Sequence, residues 1–213
     1  MKSKTGVICM LLGALLMLGS LVLYCINWWE DAEAQLWAVK VVHQLVQEIQ
    51  NEAAKETTAP QDETIPEPEL QVPAELLTEE DKVMDEVEID GYLYIGYLSI
   101  PSLELDLPVM SMWSYDKLRI APCRYSGTIK GEDLVIMAHN YASHFGNLSQ
   151  MELGDLVQFT DVNGTVTEYE VVGTDVLMAS AVDEMTSGVY DLTLFTCTFG
   201  GRDRVTVYCD CVK

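Results

Sequence analysis

The residues equipped for nucleophilic chemistry gather near the C-terminal end, in the run Leu192-Thr193-Leu194-Phe195-Thr196-Cys197-Thr198-Phe199-Gly200-Gly201-Arg202-Asp203-Arg204-Val205-Thr206-Val207-Tyr208. Two β-prone runs flank a Gly-Gly pair, the signal for a tight hairpin whose central residues take positive φ. With Gly200 and Gly201 as the loop, Phe199 pairs with Arg202, Thr198 with Asp203 and Cys197 with Arg204. Directly opposed residues on one face have Cβ atoms about 4.5–5.5 Å apart, so turn length alone sets a thiol against a guanidinium. A fixed cation stabilises the thiolate, which is the nucleophilic form. Arg202, beside the turn, lies off that site. Taken alone, the hairpin suits a plainer reading equally well, with Cys197 a small buried hydrophobe and Arg204 a surface charge.

The elements that must position this pair follow from periodicity. On the second strand Arg204, Thr206, Tyr208 and Asp210 share one face, and Val205, Val207, Cys209 and Cys211 the other. Upstream, the apolar run Leu134-Val135-Ile136-Met137-Ala138 delivers His139 at a strand end, where a histidine is often only a satisfied rim residue. From Tyr92 onward the chain reads as short strands at 92–100, 103–110, 133–139, 156–160, 165–177, 191–198 and 204–212, with Asn163-Gly164 as a second hairpin signal. Helical turns fit 113–120 and 146–151. Many short strands with few helices predict a closed or sandwich-like all-β domain.

Thr193-Leu194-Phe195-Thr196-Cys197 followed by Arg204 resembles the TLxTC…R signature of sortases, the membrane-anchored cysteine transpeptidases of Gram-positive bacteria. Leu134 to Asn140 resembles the strand that carries the sortase histidine, and Ile95-Gly96-Tyr97-Leu98-Ser99-Ile100-Pro101 the first core strand. The likeness covers residues 89–213, with the three motifs in the family's order. Ala138 departs from it, standing where a glycine commonly precedes the histidine. The resemblance implies an eight-stranded β-barrel with Cys197, His139 and Arg204 as the catalytic residues and Thr196 and Asn140 as substrate contacts. It further implies attack by Cys197 on an LPXTG-like sorting signal and protonation of the leaving amine by His139. An acyl thioester would follow, released to a peptidoglycan-precursor or pilin amine. Arg204 stays protonated and so suits binding substrate carbonyls or the oxyanion rather than acting as a base. No cofactor or metal is implied.

Composition bounds the rest. At 213 residues, 49% hydrophobic, the chain can hold one domain with a sizeable core and accessory segments. A net charge of −22 speaks against a nucleic-acid partner. Residues 7–27 form an uncharged apolar run of bilayer-spanning length. Lys2 and Lys4 precede it and Glu30, Asp31 and Glu33 follow, placing the N-terminus in the cytoplasm and the remainder outside. A cleaved signal peptide is the competing reading; the length of the run and the lack of a small-x-small site favour retention. Residues 28–56 carry Trp37, Val41, Leu45 and Ile49 at helical spacing. That predicts an amphipathic juxtamembrane helix, read first as a stalk, with self-association or docking on the domain as alternatives and His43 solvated. Residues 57–88 turn to Pro, Thr and acid, the composition of an extended tether that holds a domain away from the membrane.

Cys9 and Cys25 fall in or beside the apolar run, Cys123 could approach another thiol, and Cys209 and Cys211 share an apolar strand face and are expected in the core. A C-x-C pair on one strand bridges poorly, and no C-x-x-C is present. His144 suits orienting its loop. The 179–190 segment corresponds to the pocket-shaping loop of sortases, and its Asp183 and Glu184 fall short of a calcium site. Two rivals remain at this stage. A papain-like peptidase would place cysteine before histidine, the reverse of the order here. A tethered binding module would keep a sortase-like pocket with an inert Cys197. The class of sortase, the sorting motif and the acceptor stay open.

Overall fold

Residues 4–58 and 83–212 are described in the computed structural model. Strand-forming alternation resolves into β1 (Val87–Ile89), β2 (Tyr92–Ile100), β3 (Leu105–Met110), β4 (Cys123–Ser126), β5 (Leu134–Met137), β6 (Leu156–Asp161), β7 (Val166–Met178), β8 (Leu192–Cys197) and β9 (Asp203–Cys211). Their order is β1-β2-β3-β4-β5-β8-β9-β7-β6, and β6 pairs back onto β2. Strands β2 to β9 thus close an eight-stranded barrel, with β1 a short addition along the start of β2. The β3–β4 and β5–β8 pairs are parallel. Closure depends on Gly96, where the ladder to β3 slips by a residue. Its φ of +146° and its approach to the Thr160 carbonyl leave no room for a Cβ, so the strand can bulge there and bond to both neighbours.

The interior is filled from inward-facing positions of facing strands, among them Leu98, Leu107, Ile136, Phe159, Leu194 and Val207. Strand β4 escapes sequence reading because it is four residues long, lies between Pro122 and Gly127, and touches β3 through a single residue pair, Met110 with Cys123. Two short helices complete the domain. Ser114 caps α2 (Tyr115–Leu118), its hydroxyl accepting from Lys117 N–H at 3.2 Å, and α3 (Val182–Met185) buries Met185.

The N-terminal helix departs from expectation. The apolar run and the juxtamembrane stretch form one continuous helix, α1 (Lys4–Thr58). Its N-terminal part is long and apolar enough to cross a membrane and is bare of protein contacts. The following part is docked on the barrel instead of standing free as a stalk. Ala34, Ala38, Val41 and Leu45 are buried, Val41 and Leu45 packing with Tyr94, Met110, Leu118 and Cys123. The sequence stripe through Trp37, Val41 and Leu45 is therefore the docking face. Polar contacts run along the same face: Trp37 Nε1 donates to Tyr94 Oη at 3.1 Å, and Lys40 pairs with Asp90 at 2.6 Å. Contacts extend from Glu30 at one end of the barrel to Ile49 beside Gly164 at the other. At about 1.5 Å per residue that run measures roughly 28 Å. Of the expected tether, residues 59–82 lie outside the described residues, and its last three residues already belong to β1 or lead directly into it.

Candidate active site

The last hairpin sets the site. In the β8–β9 ladder Cys197 is directly opposite Arg204. The turn is wider than a two-residue loop: Gly201 N–H donates to Thr198 O at 2.8 Å, and Thr198 N–H to Asp203 O at 2.9 Å. Phe199 and Arg202 consequently leave the ladder, and Phe199 is fully exposed. The register survives because Gly200 and Gly201 both take positive φ, at 90° and 74°, and the Thr198 hydroxyl bonds to the backbone of Asp203. Arg204 Nη1 donates to Gly201 O and to Asp203 O, each at 3.1 Å. The guanidinium is thereby held against its own turn.

His139 arrives from the other flank of β8. Strand β5 runs parallel to β8 with Met137 level with Phe195, and Ala138 N–H continues the ladder to Phe195 O at 3.2 Å. His139 follows two residues past the last β5–β8 pair, so β8 has Arg204 opposite Cys197 on one flank and the strand end that leads to His139 on the other. Thr196, expected as a substrate contact, is only 3% exposed, and its hydroxyl donates to Ala138 O at 2.9 Å. The side chain braces the strand end that carries His139. Asn140 is half-buried beside His139.

The imidazole of His139 lies flat against Tyr141, ring centroids 4.0 Å apart and planes 19° apart. Its Nδ1 is buried with no hydrogen-bond partner, and among the described residues no hydrogen bond joins the ring to Cys197. Burial lowers its pKa below the usual histidine value, and Arg119 pushes in the same direction. The Asn140 side chain and the Glu30 carboxylate push the other way. His144, fully buried with both ring nitrogens unpartnered, is pushed down to about 4 by burial and stays neutral. Its ring meets that of Tyr141 at 5.6 Å.

Burial also separates the thiols. Cys123 and Cys209 are completely buried, and burial pushes each up to about 12, which leaves them inert. Cys197 is partly exposed and adjoins a cation, the setting a nucleophile needs. On its side of the sheet Phe195 packs with Val135, Leu177 and Met185. Tyr125 meets Phe195 edge-on at 5.4 Å and stacks on Trp113 at 5.7 Å. Trp113 and Tyr125 line a cleft of about 600 Å³ together with Met112 and Gly127 among others. An aromatic-walled cleft of that size can bind an extended peptide, and none of Cys197, His139 and Arg204 is among its lining residues. Sequence reasoning missed Trp113, Tyr125, Tyr141 and Glu30. Only Tyr141, two residues past His139, carried a signal of any kind.

A family model described as a sortase domain matches residues 98–212. No curated protein matches the chain. Among solved structures the fold is similar to sortase A from Corynebacterium diphtheriae, with 24% identity and a TM-score of 0.53 over 57% of this chain and 62% of that one. The chain therefore spans less than two thirds of that structure's length. Sortase C1 from Streptococcus suis is similar at 27% identity and a TM-score of 0.50, over 56% and 73% of the two chains. Sortase C from Clostridium perfringens SM101 is similar at 21% identity and a TM-score of 0.50, over 81% and 89%.

Proposed function

The chain belongs to the sortase family, and from that premise we propose that it is a cysteine transpeptidase acting on an LPXTG-like sorting signal at the outer face of the cell membrane. One observation supports the reading: the β8–β9 register sets Cys197 directly opposite Arg204, with His139 two residues beyond the end of β5 on the other flank of β8.

In this reading the Cys197 thiolate attacks the scissile carbonyl carbon. The C–S bond forms, the carbonyl π pair moves to oxygen, and Arg204 stabilises the oxyanion. On collapse the C–N bond breaks, and the departing amine takes its proton from His139. An acyl thioester remains on Cys197. An incoming amine of the cell wall or of a pilin attacks it, gives a proton back to His139 and frees the thiolate. Water substitutes when no amine arrives. Thr196 supports this arrangement from beneath, and Asn140 borders the histidine where substrate would pass.

The test uses the full-length chain in detergent with a panel of quenched LPXTG-type peptides and a glycine or diaminopimelate-like amine. Amine-linked product that disappears in Cys197→Ala and Arg204→Ala establishes transpeptidation and names the motif. Peptide left uncut by a protein whose Cys197 resists a thiol probe would point to a tethered binding module.

A further inference from the structure

Catalytic histidines are ordinarily oriented by a third group bonded to the ring nitrogen that does not face the reaction. The buried Nδ1 of His139 has no such partner, and beside the ring stands the side chain of Asn140. What fixes its plane is the face of Tyr141, 4.0 Å away and nearly parallel. The Tyr141 ring is itself held from outside the barrel: its hydroxyl donates to the Glu30 carboxylate at 3.0 Å, a residue 111 positions earlier on α1. Tyr141 is almost completely buried, and burial together with Glu30 pushes its pKa up to about 12, so the hydroxyl remains a donor at any working pH.

A separate contact fixes the backbone of the same loop. Ser143 N–H and hydroxyl both donate to the Asp31 carboxylate. Internal bonds close the loop, with Phe145 N–H donating to His139 O and Gly146 N–H to Tyr141 O. Asp31 thus secures the loop and Glu30 secures one ring within it.

We propose that Glu30 and Tyr141 are positioning residues for His139, so that the helix leaving the membrane completes the active centre by way of one hydrogen bond and one ring stack. The inference rests on the reading of His139 as the proton carrier.

The groups that face His139 are Glu30 from α1, Arg119 just after α2, and Asn140, Tyr141 and His144 from its own loop. Loss of the Glu30 charge removes a contribution that raises the histidine pKa. Both Glu30→Ala and Glu30→Gln should therefore move the acid limb of the rate profile to lower pH. Only Glu30→Ala also removes the acceptor for Tyr141. The pair of variants separates positioning from charge.

The experiment uses the full-length chain in detergent with ring-labelled histidine. Its three histidines are assigned with His139→Ala as the reference. In the wild type the His139 ring signal is displaced upfield by the Tyr141 ring. Glu30→Ala and Tyr141→Leu should return it toward the free-imidazole position and lower kcat about 2- to 12-fold, the range of one aromatic pair, with KM unchanged. Glu30→Gln should recover most of kcat while keeping the displaced pH limb. Lys40→Ala, which breaks a helix–barrel contact away from the loop, should change neither reading. A His139 signal indifferent to Glu30→Ala overturns the inference, as does a signal that moves without any change in kcat. His139→Ala with full turnover, or a wild type that turns over no peptide, instead sinks the reading beneath it and the inference with it.

Discussion

Thr196→Val tests whether the hydroxyl beside the nucleophile serves substrate or scaffold. The substitution keeps shape and removes one hydrogen bond, from Thr196 Oγ1 to Ala138 O at 2.9 Å, at a position 3% exposed. The Ala138 carbonyl, lying between β5 and β8, would lose that partner without gaining water. Leaving a buried acceptor unsatisfied costs about 1–3 kcal/mol. With an unfolding entropy of about 2.1 cal/mol/K per residue over the roughly 130 residues of the barrel, each kcal/mol is about 4 °C, so Tm should fall by about 4–11 °C. His139 follows Ala138 directly, and a loosened strand end shifts it relative to Cys197. Misplacement on the scale of 1 Å costs up to about 100-fold in rate. Thermal unfolding by near-ultraviolet circular dichroism and peptide turnover on the same preparation read both quantities. The brace predicts a lower Tm and a lower kcat with KM unchanged, and Thr196→Ser should restore both. A variant with unchanged Tm and a raised KM would refute this reasoning and return Thr196 to the role of a substrate contact.

Limited alkylation of the folded chain with iodoacetamide, followed by peptide mass mapping, should modify Cys197 and spare Cys123 and Cys209, whose burial pushes them up to about 12; modification of either buried thiol at the rate of Cys197 would contradict the assignment. The rate profile should be a bell with its acid limb below the ordinary histidine value of about 6.5, because burial lowers His139. The sign follows from the second half-reaction, in which neutral His139 takes the proton of the incoming amine: burial favours the neutral ring, so the blocked protonated form accumulates only at lower pH, and an acid limb above 6.5 would show that another group accepts that proton. Removal of α1 uncovers Tyr94, Met110 and Leu118. Burial of Val41 and Leu45 stabilises by about 3–6 kcal/mol together, so a fragment beginning at residue 83 should unfold at a lower temperature than one beginning at residue 28 and bind an apolar dye. Equal unfolding temperatures would make the helix a stalk after all.

What the sequence disclosed was local. The Gly-Gly pair and strand alternation gave the Cys197–Arg204 opposition, and that register survived a turn two residues wider than the pattern implied, because the added pair, Phe199 and Arg202, is symmetric about the glycines. The helical stripe through Trp37, Val41 and Leu45 was equally visible. Its partner was not, since an apolar stripe of that width fits a bundle, a dimer or a barrel wall alike. The roles of Thr196 and Tyr141 depend on contacts with Ala138 and Glu30, 58 and 111 positions away. No spacing rule reaches across such separations; only the parallel β5–β8 pairing and the docking of α1 create them.

That docking changes how the site stands toward the membrane. With residues 7–27 in the bilayer, Glu30 and Asp31 lie within about one helical turn of its surface. Those two carboxylates grip the loop that carries Tyr141 and Ser143, so the histidine end of the barrel is the membrane-proximal end, while Ile49 and Gly164 mark the distal one. A long tether would let the domain range over its surroundings and meet substrate at any height. A docked helix does the opposite, holding Arg204, Cys197 and His139 at one height and one orientation.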